Sequence, residues 1–135
     1  VLASAFLAVA ACAVALASCG KPHGTFAFKK PIEDVYHKLQ EVPEFGRDDV
    51  VNWVCVVKGL GKSDRLAVFV LKKEMVWVEL HSRLENVGKD QPYVYGTIQD
   101  LAKGRYKIMI TKESHAVGEL EFNIYDDGED GVFDK

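Results

Sequence analysis

The sequence predicts an α+β domain: an N-terminal strand, one amphipathic helix at about 31–41, and a roughly six-stranded antiparallel sheet packed on that helix. Three observations lead there. Ile32, Val35, Tyr36 and Leu39 recur at i, i+3, i+4 and i+7, the spacing of a single apolar helix face. From Val50 to Tyr125 the chain is a succession of β-branched and aromatic runs separated by Gly, Pro, Asn and Asp. The connections between those runs are short, which makes neighbouring strands antiparallel.

Gly24–Phe28 reads as the first strand. Pro31 then suits the first position of a helix, and Glu33 and Asp34 suit its first turn, where the helix dipole favours acids. Pro43 ends it, and Gly46–Asp49 is loop. Val50–Lys58 is a strand with Trp53, Cys55 and Val57 on one face, so Cys55 reads as a buried apolar thiol. Leu66–Leu71 is a continuous apolar run, expected to be covered on both faces. Met75–Leu84 alternates, with Val76, Val78, Leu80 and Leu84 against Met75, Trp77, Glu79, His81 and Arg83. Tyr93–Gln99, Arg105–Thr111 and Val117–Tyr125 complete the sheet.

The first stretch obeys a different rule. Residues 1–20 carry no charge, and all 17 basic and 20 acidic residues lie from Lys21 onward. An apolar run that ends in small residues before a polar, helix-breaking segment is the pattern of an export signal. A basic leading segment is expected upstream of Val1. Leu16, Ala17, Ser18 and Cys19 resemble the lipobox of bacterial lipoproteins. That resemblance implies cleavage before Cys19 and a diacylglyceryl thioether on its sulfur. The rival Val9-Ala10-Ala11-Cys12 would leave an apolar tail on the mature chain, and an uncleaved anchor needs about 20 strongly apolar residues, whereas this run is rich in alanine. The expected organisation is a signal peptide at 1–18, a tether at 19–24, one domain at 25–125 and an acidic, disordered tail at 126–135. The resemblance places the protein in the cell envelope, on the periplasmic side of a membrane. Gly20 after the cysteine, rather than Asp, favours the outer one.

Strand, P-x-x-x-V-Y-x-x-L helix, then antiparallel strands resembles the helix-grip fold of the START/SRPBCC superfamily, on Phe26, Phe28, Pro31, Val35, Tyr36 and Leu39. The long C-terminal helix of that family has no counterpart in the acidic end, and a plain helix-on-sheet domain fits the strands equally. The resemblance implies a small apolar ligand or lipid, with Met75, Trp77, His81, Tyr93 and Tyr95 as its lining.

Composition excludes several classes. The net charge of −3 leaves no basic patch of the kind nucleic acid requires. The four histidines are scattered, so no metal site is expected. Asp126-x-Gly128-x-Asp130 lacks the third-position acid of a calcium loop. No nucleophile elbow or phosphate-binding glycine loop is present, and neither enzyme chemistry nor a cofactor is expected. Two functions remain: a non-enzymatic envelope module acting through protein or cell-wall contact, and an apolar-ligand binder.

Overall fold

The computed structural model describes residues 21–31, 35–38 and 41–126. Within them the alternation of the sequence becomes nine strands: β1 (His23–Lys29), β2 (His37–Lys38), β3 (Glu44–Gly46), β4 (Val51–Lys58), β5 (Asp64–Lys73), β6 (Trp77–Val87), β7 (Tyr93–Ile98), β8 (Gly104–Lys112) and β9 (His115–Tyr125). They form two sheets, ordered β2-β1-β4-β7 and β3-β9-β8-β5-β6. Every pairing between these strands is antiparallel except the short one of β3 with β9.

Neither sheet can leave its apolar face in water, so the two faces close on each other. Val51, Trp53, Cys55 and Val57 of β4 meet Leu66 and Val68 of β5, Tyr106, Ile108 and Ile110 of β8, and Leu120, Phe122 and Ile124 of β9 in one core. Aromatic rings tie its far end together: Tyr106 stacks on Phe122 at 5.5 Å, and Phe45 meets both Phe122 and Phe28. The Tyr106 hydroxyl donates to the Ala102 carbonyl at 2.6 Å, which pins the approach to β8. On one side of the sandwich β1 and β9 approach closely, because a Cβ at Gly118 would sit 3.1 Å from Phe26 Cε2. The opposite side, between β6 and β7, stays open.

The predicted helix is not there. Pro31 lies in a turn, Val35 is 67% exposed, and His37–Lys38 pairs with Phe28 and Ala27 as β2; Ile32, Glu33, Asp34, Leu39 and Gln40 lie outside the described residues. Among the described residues there is no helix at all, so the fold is all-β rather than α+β. A stretch between Pro31 and Pro43 is shorter than the dozen or so residues that hold a helix without tertiary help. The two sheets cover each other's inner apolar faces, so the core forms without a helix. The helix-grip resemblance fails with its helix, and the single sheet becomes two.

The seven longer strands do lie where the sequence placed them. Leu66–Leu71, expected to be covered on both faces, turns Leu66 and Val68 into the core and leaves Ala67 and Phe69 half-buried on the outer face of its sheet. The sides of one further strand need correction. β5 and β6 slip register at Leu80, so that Val70 faces His81 while Leu71 faces Glu79. This bulge turns His81 and Arg83 toward the sandwich interior and leaves Trp77 on the outer face with Leu84. Residues 1–20, with Leu16, Ala17, Ser18 and Cys19, and the tail from Asp127 lie outside the described residues.

Candidate interaction surface

Each sheet has one outer face, and strand register says what stands on it. On the four-stranded sheet, Thr25 and Ala27 of β1 face Val56 and Val54 of β4, which in turn face Tyr93 and Tyr95 of β7; Asn52 faces Thr97. No carboxylate occupies an outward position on these strands; Lys29 and Lys58 stand at the ends of the patch, Lys38 pairs with Ala27 at one margin, and Arg83 and Glu85 of β6 line a groove with Tyr93 and Tyr95 at the other. Tyr95 is 62% exposed and Tyr93 41%, with ring centroids 6.3 Å apart. Thr97 Oγ1 bonds to Asn52 Oδ1 at 3.1 Å. The result is a flat patch of aromatic, aliphatic and neutral polar groups with charged residues at its rim, lysines at its ends and the Arg83–Glu85 pair at its open side. Aromatic enrichment and charge depletion at the centre are the composition of a protein-binding patch.

The patch depends on what lies beneath it. Trp53, 3% exposed, faces Gly96 across the β4–β7 pairing. A Cβ at Gly96 would fall 2.8 Å from three atoms of the indole, so the ring occupies the space a side chain there would need. Phe26 packs against Trp53 at 5.8 Å. Beside them Cys55 is fully buried, and burial pushes its thiol from 9.0 up to about 12. A thiol so protonated at neutral pH is no nucleophile.

At the open side, Arg83 bridges the sheets. Its Nη2 donates to the Tyr95 carbonyl, and its guanidinium carbon lies 5.8 Å from the centre of the Trp53 ring. Its Nε sits 2.9 Å from Glu85 Oε1, off the N–H direction, so that this buried N–H makes no hydrogen bond. Behind Arg83 is a cavity of about 220 Å³ walled by Val68, Val70, Ile98, Ile108 and Phe122, with His81 at its rim.

The other end of β6 is the β5–β6 hairpin, whose apex is Glu74-Met75-Val76. Met75 is 96% exposed and Val76 66%. Trp77 lies back along the outer face with two ammonium groups on its ring, Lys107 at 4.3 Å and Lys73 at 5.4 Å.

The five residues grouped as a ligand lining therefore separate into three places. Tyr93 and Tyr95 stand together on the outer face of one sheet, Met75 and Trp77 at the hairpin end of the other, and only His81 reaches the interior cavity. The residues the sequence reading left out are Val54, Val56, Asn52 and Thr97. Their outward positions on strands already recognised were the available signal. Among the described residues no group of three His, Cys, Asp or Glu side chains could hold a metal ion, and no helix is long and apolar enough to cross a membrane.

Strands β1, β4 and β7 on one sheet and β9, β8, β5 and β6 on the other follow the strand order A-B-E and G-F-C-C′ of immunoglobulin-type sandwiches. The Tyr106 bond is the tyrosine corner of that architecture. Two residues on, where antibody domains carry the second cysteine of their disulfide, this chain has Ile108, and Cys55 is a free thiol. No family model matches the chain, and no curated protein matches it. Among solved structures it is similar to an immunoglobulin-like protein (PA1606) from Pseudomonas aeruginosa, with a TM-score of 0.48 and 12% identity over 78% of this chain and 93% of that one. It is also similar to the CARDB domain of the PF1109 protein from Pyrococcus furiosus, solved in complex with di-metal ions, with a TM-score of 0.37 and 12% identity over 78% of this chain and 89% of that one.

Proposed function

We propose that this protein is a non-enzymatic interaction module of the cell envelope, tethered through Cys19, that binds a partner protein on the outer face of its four-stranded sheet. The observation that carries the reading is the uncharged patch of Val54, Val56, Tyr93 and Tyr95. The fold does not need those side chains exposed, since the outer positions of a solvated sheet are served as well by charges. Rigid tyrosines contribute contact area at low entropic cost. The lysines at the ends of the patch favour a partner with an apolar centre and acidic groups at its margin.

The tether rests on the lipobox resemblance. Its test is acyl labelling in a bacterial host. Cys19→Ser abolishes incorporation of labelled palmitate if Cys19 is the site, whereas retained labelling that only Cys12→Ser removes refutes it. The binding face is tested separately, with a photo-crosslinking amino acid at position 95 in cells. The proposal expects one discrete protein adduct that Val56→Glu eliminates, and none from position 119 on the other sheet. Equal crosslinking from both positions, or an adduct indifferent to Val56→Glu, removes the assignment.

A further inference from the structure

The hairpin apex carries three features in sequence along its length. Met75 and Val76 project from the tip, and Val78 and Leu80 continue an exposed apolar stripe down the free edge of β6. Trp77 lies one residue behind the apex. Lysines follow at the same depth and beyond it: Lys73 opposite Trp77, Lys72 opposite Val78, and Lys107 opposite Leu71 on the neighbouring strand. The carboxylate at the apex is Glu74, 3.4 Å from Lys72 Nζ, and the next one back on the hairpin, Glu79, is level with Lys107; at the end of β9, Asp126 is paired with Arg47 at 3.1 Å.

We infer that this apex docks into the interface of a membrane bearing anionic lipid. A strand rises about 3.3 Å per residue, so Met75 to Val78 spans roughly 10 Å, matching the 5–10 Å to which interfacial elements sink. The apolar tip then reaches the acyl boundary while Trp77 sits at headgroup depth, where indole rings concentrate. Lys73 and Lys107 lie over the Trp77 ring on the outer face, their stems along the indole and their ammonium groups toward lipid phosphates. A protein groove would accept Met75 and Val76 equally well, but it gives no reason for a tryptophan braced between two lysines one step behind them.

The apex contact does not rest on the tether.

The test uses the full chain with vesicles of phosphatidylcholine and 30 mol% phosphatidylglycerol, about a third of it brominated on the acyl chains. Trp77 is the reporter and Trp53, buried in the core, is the reference; Trp77→Phe gives the Trp53 signal to subtract. Docking quenches Trp77 emission at least twofold, and Met75→Asp/Val76→Asp, at two exposed positions, removes that quenching with an unchanged urea midpoint. Replacing phosphatidylglycerol by phosphatidylcholine weakens the quenching severalfold. Absent quenching, or quenching the double variant retains, overturns the inference. Vesicle flotation of the Met75→Asp/Val76→Asp variant, whose apex no longer binds, reports the tether separately.

Discussion

The two outer faces of this sandwich cover one core and are built on opposite rules. The five-stranded sheet carries Arg65, Lys73, Arg105 and Lys107 against Glu44, Glu79, Glu119 and Glu121 on its outward positions. Several pair across strands, Arg105 with Glu121 at 2.6 Å and Lys107 with Glu119 at 3.9 Å. Such a face pairs its own charges and stays soluble. The four-stranded sheet leaves its centre uncharged and exposes Tyr93, Tyr95 and Val56, with Val54 half-buried beside them. Its outward side chains do little for the fold, while its stability comes from Trp53, Phe26 and Cys55 directly beneath. The difference separates residues that hold the sheet from residues that are free to bind.

The sharpest way to break the comparison is from below. Gly96→Val places side-chain atoms where the Trp53 indole lies, 2.8 Å from the backbone-derived Cβ position. The ring is packed against Phe26 and the Arg83 guanidinium, each at 5.8 Å, so it must be displaced to make room. We expect a loss of about 3 kcal/mol, at the upper end for an overpacked core, measured as a lower urea midpoint. Loss of Tyr93–Tyr95 patch binding would accompany it. Gly96→Val with an unchanged midpoint would show that the patch does not rest on Trp53.

Cys55 gives a second effect, expressed in alkali. Its folded-state thiol is raised to about 12 by burial against an ordinary 9.0. Because the folded value is the higher one, the thiol's contribution is whole below pH 9 and is lost as pH rises toward 12. The unfolded chain then releases a proton that the folded chain keeps, and stability falls by about 1.4 kcal/mol per pH unit in that window. Between pH 9 and 10.5 the unfolding free energy of the wild type should drop more steeply than that of Cys55→Ala. Parallel curves would mean that water reaches the sulfur.

What the sequence revealed follows from which signals are local. All seven long strands were legible, because alternation is a property of neighbouring residues. So was the face shared by Trp53, Cys55 and Val57 and the burial of Cys55, which the period-two pattern assigns directly. The helix at 31–41 was not, since Ile32, Val35, Tyr36 and Leu39 satisfy the helical period without declaring whether anything covers them; the neighbouring strand β1 claimed His37 and Lys38 instead. The side on which Trp77, His81 and Arg83 fall depends on one extra residue, Leu80, and a bulge has no signature in an alternating run. For the same reason Tyr93 and Tyr95 were visible as candidates, while their grouping with Val54, Val56 and Thr97 required the register of β4 with β7. The division into two sheets is likewise a matter of pairing between distant strands.

On the charged face the expected effects are smaller. Arg105 and Glu121 make a close contact, but their side chains are 53% and 31% exposed. A double-mutant cycle with Arg105→Ala and Glu121→Ala should give a coupling below about 1 kcal/mol, shrinking further at 1 M salt as the Debye length contracts to about 3 Å. A coupling that salt leaves untouched would mean the pair is shielded from solvent, and the face would then be as structural as the core.

The smallest expected effect is the one that separates the faces most clearly. Tyr93→Ser and Tyr95→Ser remove two large side chains, yet both rings lie against other exposed groups and neither belongs to the buried core. Substitution at such positions stays within about 0.5 kcal/mol, so the double variant should unfold at nearly the wild-type urea midpoint. Its crosslinking to the partner from position 54 should nevertheless disappear. Stability retained with binding lost is the signature of a side chain kept for contact. A drop of 2 kcal/mol or more would instead make the tyrosine pair a structural brace for β7, and the uncharged face would lose its claim to be the binding surface.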